Sequence, residues 1–405
     1  MVQIHDLDVP TFSAEVAEIL GFMGQMAADL SLDLATVKAQ ATAETGLSDF
    51  GPDDYEERYD VLVSALREVR DLQPYGLVTF HAQLLQALKN RLLLQDLLTR
   101  HPEIRDVQLA PPVIIAGLPR TGTTHLHNLL AAHPGFRTLP YWESVEPFPL
   151  PGESPDGRRA RCDVGVEFMN QAMPLFPLMH EMTTDHVHEE IQLLAVDFSS
   201  MLFETLAHVP AWRDYYRSHD QTPHYRYLKL MLQAMEFLNP TGKRWLLKSP
   251  QHLEQFGVLA EVFPDATVVV THRDPAAVAV SMTTMIAYTA RMHASPVDAV
   301  GIGRAWADRL GDMLDAAVRD RDVLPRSMDV RFDEFMKDDL ATARAVCALA
   351  DEPVTPEADA AMQAYLDGHE RGRLGSIDYA ASDVGLDLDD LRSRYSAYVD
   401  RFLHT

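Results

Sequence analysis

Over residues 10 to about 106, apolar positions recur at helical spacing: Leu62, Leu66 and Val69 share one face, as do Leu84, Leu88 and Leu92. Asp53 followed by Glu56 reads as a capping-box-like pair and predicts a helix start. β-branched runs are sparse here. The pattern predicts a helical N-terminal region or cap, residues 1–106, without chemistry of its own.

At Pro111-Pro112 the texture changes. Val113-Ile114-Ile115 is a short apolar run that ends in a glycine-containing turn, and a helical pattern follows with Leu126, Leu129 and Leu130. Similar runs recur at Thr138-Leu139, Trp245-Leu246-Leu247, Thr267 to Val270 and Met328-Asp329-Val330, with helix-like stretches between most of them. Short buried strands alternating with helices predict a parallel sheet covered on both faces, here an α/β core over residues 107–355. Ligands of such sheets gather at the carboxyl ends of the strands. Residues 141–240 are an insertion rich in Pro, Met, aromatics and His, with helical pattern from about Glu190, and of the kind that shapes substrate pockets. Residues 356–405 form a mainly helical, acidic tail broken by Gly368, Gly372 and Gly375.

Composition narrows the class. The 405 residues are 47% hydrophobic and 23% charged, ordinary for a globular chain with a sizeable core. The formal charge of −25 argues against nucleic-acid partners and membrane-surface binding, so any polyanion must meet a local cationic cluster. Two cysteines, Cys162 and Cys347, cannot make a disulfide framework and fit a reducing compartment. The N-terminal residues carry no secretory pattern, and no run approaches the ~18 apolar residues of a membrane span. The expectation is a cytoplasmic protein without stable membrane insertion.

The strongest local signal is Gly117-Leu118-Pro119-Arg120-Thr121-Gly122-Thr123-Thr124, set between a strand and a helix. Backbone N–H groups of such a turn converge on an anion, and the helix dipole adds to them. Nucleotide hydrolases put Lys directly after the second glycine. Here Thr123 stands there, and the cation is Arg120 inside the loop. No carboxylate suited to hold Mg²⁺ is evident at the later strand ends, which counts against a triphosphate–magnesium site. A second signal is Arg273-Asp274-Pro275, with Ser281 eight residues after Arg273: a guanidinium fork plus a hydroxyl suits a phosphate monoester.

Together these motifs resemble the sulfotransferases that use 3'-phosphoadenosine-5'-phosphosulfate (PAPS), and their bacterial branch in particular. Pro119-Arg120-Thr121-Gly122-Thr123-Thr124 is similar to that family's 5'-phosphosulfate loop, usually Pro-Lys-Ser-Gly-Thr-Thr, and Arg273 with Ser281 is similar to its 3'-phosphate motif. Trp245-Leu246-Leu247-Lys248-Ser249-Pro250, Phe263-Pro264-Asp265-Ala266 and Val330-Arg331-Phe332-Asp333-Glu334-Phe335 also resemble that branch. The resemblance covers roughly residues 110–350. It implies a P-loop-like three-layer fold with a five-stranded parallel sheet flanked by helices, in agreement with the strand pattern.

The resemblance also implies in-line sulfuryl transfer from PAPS to a hydroxyl or amine, leaving 3',5'-adenosine bisphosphate and requiring no metal. Donor binding falls to Gly117, Pro119, Arg120, Thr121, Gly122, Thr123, Thr124, Arg273 and Ser281, with Arg373 in a loose equivalent of a late Arg-Lys-Gly segment. Arg120 and Lys248 are the expected cations at the reacting centre. Glu143, after the second strand and beside Tyr141 and Trp142, is the expected base, with His188 and Glu190 behind it. His186 and His188 with two glutamates mimic a metal site, but two residues apart they share no helical face, so no metal is expected. Met173, Phe176, Met179, Met182, Trp142 and Phe148 are candidates for an apolar wall around a small acceptor. An ATP-dependent phosphotransferase and a non-catalytic nucleotide-binding protein are the alternatives. The N-terminal helices are free either to cap the site or to pack between subunits of a homo-oligomer.

Overall fold

In the computed structural model, residues 1–370 and 372–404 are described; Arg371 and Thr405 lie outside them. The strands are β1 (Val113–Ala116), β2 (Phe136–Arg137), β3 (Arg244–Lys248), β4 (Thr267–His272) and β5 (Ser327–Arg331). They form one five-stranded sheet in the order β2-β3-β1-β4-β5, and every pairing is parallel. β1 and β4 are buried along their whole length, as the continuous apolar runs require when helices cover both faces.

Alternation along each strand sorts side chains into two cores. Ile114, Ala116, Trp245, Leu247, Val268 and Val270 enter one of them together with Leu84, Leu88 and Leu92 of the long helix Pro74–Arg100. Val113, Ile115, Leu246, Val269 and Val330 enter the other, against Leu126, Leu129 and Leu130 of the helix Thr123–Ala131 and Val346 and Cys347 of the helix Asp339–Leu349. The result is three layers. The N-terminal helices therefore share the core of the sheet rather than building one of their own. Asp197 in the insertion also binds them: it pairs with Arg58 at 2.9 Å and Arg91 at 2.7 Å, all three buried. Removing one member of such a buried cluster costs about 3–5 kcal/mol.

Three local expectations change. The capping box does not form: the helix Tyr55–Leu66 starts after Asp54 without a side-chain cap, and the Glu56 carboxylate pairs with Lys38 instead, at 2.7 Å. β2 lies at Phe136–Arg137, before Thr138-Leu139, because the chain leaves the sheet there: the Leu139 carbonyl accepts the His188 N–H and Pro140 bridges Val187. The insertion is already helical at Gly157–Ala172, before Glu190; only Val166 and Ala172 of that helix are buried, so it carries little periodic apolar signal. Among the described residues no helix is long and apolar enough to cross a membrane, and Cys162 and Cys347 are free thiols.

Candidate active site

The chemistry-bearing loops leave the carboxyl ends of β1, β3 and β4, three adjacent strands at the centre of the sheet. After β1 the chain makes the turn 117–122 and enters the helix Thr123–Ala131. Gly117 is required by close approach: a Cβ there would meet Thr271 Oγ1 at 2.1 Å. Gly122 has φ +89° and precedes the helix with no side-chain cap, so the first-turn N–H groups have no side chain to bond. Such N–H groups have the geometry to receive an anion. Thr121 belongs to the frame of the turn: the hydroxyl is buried, donates to the Leu118 carbonyl at 2.6 Å and meets Thr271 Oγ1 at 2.7 Å, leaving the backbone N–H as its contribution. Pro119 is half-buried at the mouth of the turn, and Thr123 is buried at the first helical position.

Arg120 sits at φ 69°, a left-handed conformation that is strained for a residue with a side chain. Arg273 helps hold it there, donating to the Arg120 carbonyl at 2.8 Å while stacking over the Phe332 ring at 4.2 Å. The Arg120 guanidinium then reaches away from the loop: Nε donates to Ser281 Oγ at 3.0 Å, and its other nitrogens donate to the Met179 carbonyl and to Tyr379 Oη at 3.4 Å. Arg120, Arg273 and Ser281 thus form one group. Asp274 caps the helix Pro275–Thr289 that carries Ser281, accepting from the Ala276 N–H at 3.0 Å. Burial and the neighbouring Arg120 charge push the Arg273 pKa down, the field of a site that gains from a bound anion.

Lys248 ends β3 and marks a second group. Its side chain is buried, pairs with Glu189, and lies 3.5 Å from Thr124 Oγ1. Its backbone N–H donates to Glu190 at 2.9 Å; Glu190 in turn pairs with His252, whose Nδ1 meets Tyr225 Oη at 2.8 Å. Burial alone would raise the Glu190 pKa, but the His252 ion pair and the N–H bonds carry it below the ordinary value. Glu190 is therefore a buried strut. Glu189, its neighbour in sequence, is the carboxylate that meets the lysine; the two adjacent glutamates gave no sequence signal to tell them apart.

Glu143 lies on the short helix Tyr141–Val145 with cationic neighbours of its own. Arg137 is 3.8 Å away, and Arg158, stacked over Trp142 at 4.7 Å, also acts on it. Burial raises the Glu143 pKa against both cations. Three histidines lie closer to Lys248 in electrostatic influence: its charge acts on His180, His186 and His188, and Arg120 acts on His180. One nitrogen of each lies within 4.8 Å of the others. His186 and His188 stand in an extended segment, bridged at Val187 to Pro140, where residues two apart share a face. The helical geometry that set a metal aside does not apply.

Arg373 is exposed and pairs with Glu181 in the insertion, and Tyr379, further along the same segment, reaches Arg120. The expected apolar wall resolves largely into core. Met173 and Met179 are buried in a cluster with Tyr288 and Val297, and Phe148 is buried in the main core.

The comparisons agree with this architecture. Residues 111–356 match the sulfotransferase family. No curated protein sequence matches the chain. The fold is similar to the crystal structure of sulfotransferase STF1 from Mycobacterium tuberculosis H37Rv, with 29% identity, a TM-score of 0.78, and 90% of this chain and 98% of that one covered. It is also similar to sulfotransferase STF9 from Mycobacterium avium, with 25% identity, a TM-score of 0.82, and 93% and 98% covered.

Proposed function

The chain belongs to the sulfotransferase family, and on that premise we propose that it moves the sulfuryl group of PAPS to a hydroxyl of a small acceptor. The observation that carries this reading is the pairing of two separate anion receivers on one sheet edge: the uncapped turn 117–124 with Lys248, and the Arg120–Arg273–Ser281 group. A donor with a phosphate at each end needs two such receivers, and they answer the global charge of −25 locally.

The 5' end falls to the N–H groups of the turn, Thr123, Thr124 and Lys248. The 3'-phosphate falls to Arg273 and Ser281, and Arg120 joins them: a guanidinium already bonded to the Ser281 hydroxyl is placed for that phosphate, not for the leaving oxygen. In the reaction an acceptor oxygen attacks sulfur, the bond from sulfur to the bridging phosphate oxygen breaks, and the electron pair leaves with the bisphosphate. Lys248 stabilises the charge that develops there. Glu189 takes the acceptor proton, because it is the carboxylate paired with Lys248 beside Thr124, whereas Glu143 faces Arg137 and Arg158. Both cysteines are free thiols, in keeping with action in a reducing cytoplasm.

Calorimetric titration with 3',5'-adenosine bisphosphate, beside ATP with Mg²⁺, tests the donor class on wild type and Arg273→Ala. Micromolar or tighter bisphosphate binding that weakens in the variant, with no comparable ATP binding, is the expected result. Equal ATP–Mg²⁺ binding that ignores Arg273→Ala returns the chain to the phosphotransferase reading.

A further inference from the structure

Three of the six histidines of the insertion, His180, His186 and His188, take no part in the proposed donor binding, yet they are placed with care. The His188 N–H donates to the Leu139 carbonyl at 2.7 Å, and the His186 carbonyl accepts from the Tyr141 N–H at 2.9 Å. These bonds clamp the extended segment against the chain just after β2. His180 follows the helix Phe176–Met179, its N–H bonded to the Phe176 carbonyl at 2.7 Å. Backbone on two sides is thus fixed before any ligand arrives, as a built site requires.

Two of their nitrogens are unspent. His188 is only 9% exposed, and its Nδ1 has no hydrogen-bond partner among the described residues; the same holds for the buried His186 Nε2. A buried polar atom left unpaired costs about 1–3 kcal/mol. One such imidazole is tolerable in a core. Three rings with one nitrogen each inside a 4.8 Å span are a donor set that lacks its acceptor.

We propose that His180, His186 and His188 bind one divalent transition-metal ion, of the zinc or cobalt type, on the acceptor side of the sulfuryl-transfer site. Imidazole nitrogen suits these borderline ions, and three protein ligands leave a coordination position open. Zn–N bonds of about 2.0–2.1 Å would draw the nitrogens together to about 3.4 Å, within the range of side-chain torsions.

The charged groups facing the cluster are Lys248, Arg120 at His180 and Glu181 at His186. Lys248 is the like charge that most opposes a cation, and Glu189 neutralises it. The open position would receive the acceptor oxygen. Glu189 would take its proton, and the oxygen would form the new bond to sulfur while the bond to the bridging oxygen breaks. This role, unlike the binding itself, rests on the proposed function.

The test uses the full chain, stripped with a chelator, then titrated with Zn²⁺ by calorimetry and with Co²⁺ by visible absorption. Wild type is expected to bind one ion per chain. Binding should weaken by at least about tenfold in His186→Ala and in His188→Ala, the order expected for loss of support to a metal site, with adenosine bisphosphate affinity unchanged in both. If His188→Ala loses bisphosphate binding, its fold is in question, and the less buried His180→Ala carries the comparison beside His186→Ala. No uptake by wild type, or uptake that both variants retain, overturns the proposal. Metal binding that follows the histidines in a chain that takes no bisphosphate upholds the site and brings down the proposed donor.

Discussion

On the proposed donor side, the candidate residues are eight consecutive ones after β1 and a short motif after β4, which offer backbone N–H groups and two guanidinium groups. On the proposed acceptor side, side chains arrive from two distant stretches, the chain after β2 and the insertion at 180–190, where Glu189 meets Lys248 at the end of β3. The first is a local conformation. The second exists only after the insertion has folded back on the sheet. An anion cradle needs few residue types in a fixed order, because its ligand is always a phosphate-like group. An acceptor pocket has no such common denominator, and its residues are free to come from wherever the chain passes.

The comparison breaks first at the base. Glu189→Gln is expected to lower kcat by ~10²–10⁴-fold, the range of general-base catalysis, while Glu143→Gln changes it far less. Steady-state rates with a labelled donor decide this, and the reverse ranking returns the base to Glu143. Next comes Lys248→Met, which keeps the buried stem and removes the charge. It should reduce kcat by ~10²–10³-fold, as loss of one stabiliser of developing charge does, and weaken bisphosphate binding as well, because Lys248 stands beside Thr124 at the 5' end.

Arg120→Ala sharpens the same division from the other side. A charge-assisted hydrogen bond contributes roughly 1.5–3 kcal/mol. Bisphosphate affinity should therefore fall by about ten- to a hundredfold, and adenosine 5'-phosphate, which lacks the 3' group, should lose little. Equal losses for both nucleotides would put Arg120 back at the leaving oxygen.

The smallest effect concerns pH. Burial holds the His127 pKa near 3 and the His293 pKa near 4, against 6.5 for a free histidine. The unfolded chain therefore takes up protons first as pH falls. Stability is fully present above pH 6.5 and is lost progressively as pH falls toward 4. Thermal unfolding across that window should show a falling Tm, with a shallower slope in His293→Gln.

Much of this was legible beforehand. Five short runs of two to four residues sufficed for a parallel sheet, and Gly117 and Gly122 with Arg273 and Ser281 sufficed for the family. The N-terminal helices announced themselves through Leu84, Leu88 and Leu92, which the structure buries against the sheet. Context decides the rest. Helical spacing separates His186 and His188, but their segment is extended, and in a strand-like backbone residues two apart lie together. Arg120 read as the cation of its own loop, but a left-handed backbone turns its side chain toward Ser281. Glu189 and Glu190 were indistinguishable on paper, and only the fold made one a buried strut and the other the partner of Lys248.

The sequence by itself determined the sheet, the glycine turn 117–122 and the family, because each rests on residues close in the chain whose local conformation follows from their own chemistry. Tertiary structure alone decided which carboxylate meets the lysine, where Arg120 points and that three histidines converge. Those outcomes depend on the path of a hundred-residue insertion across the sheet edge, and no local pattern encodes where such a path brings its side chains.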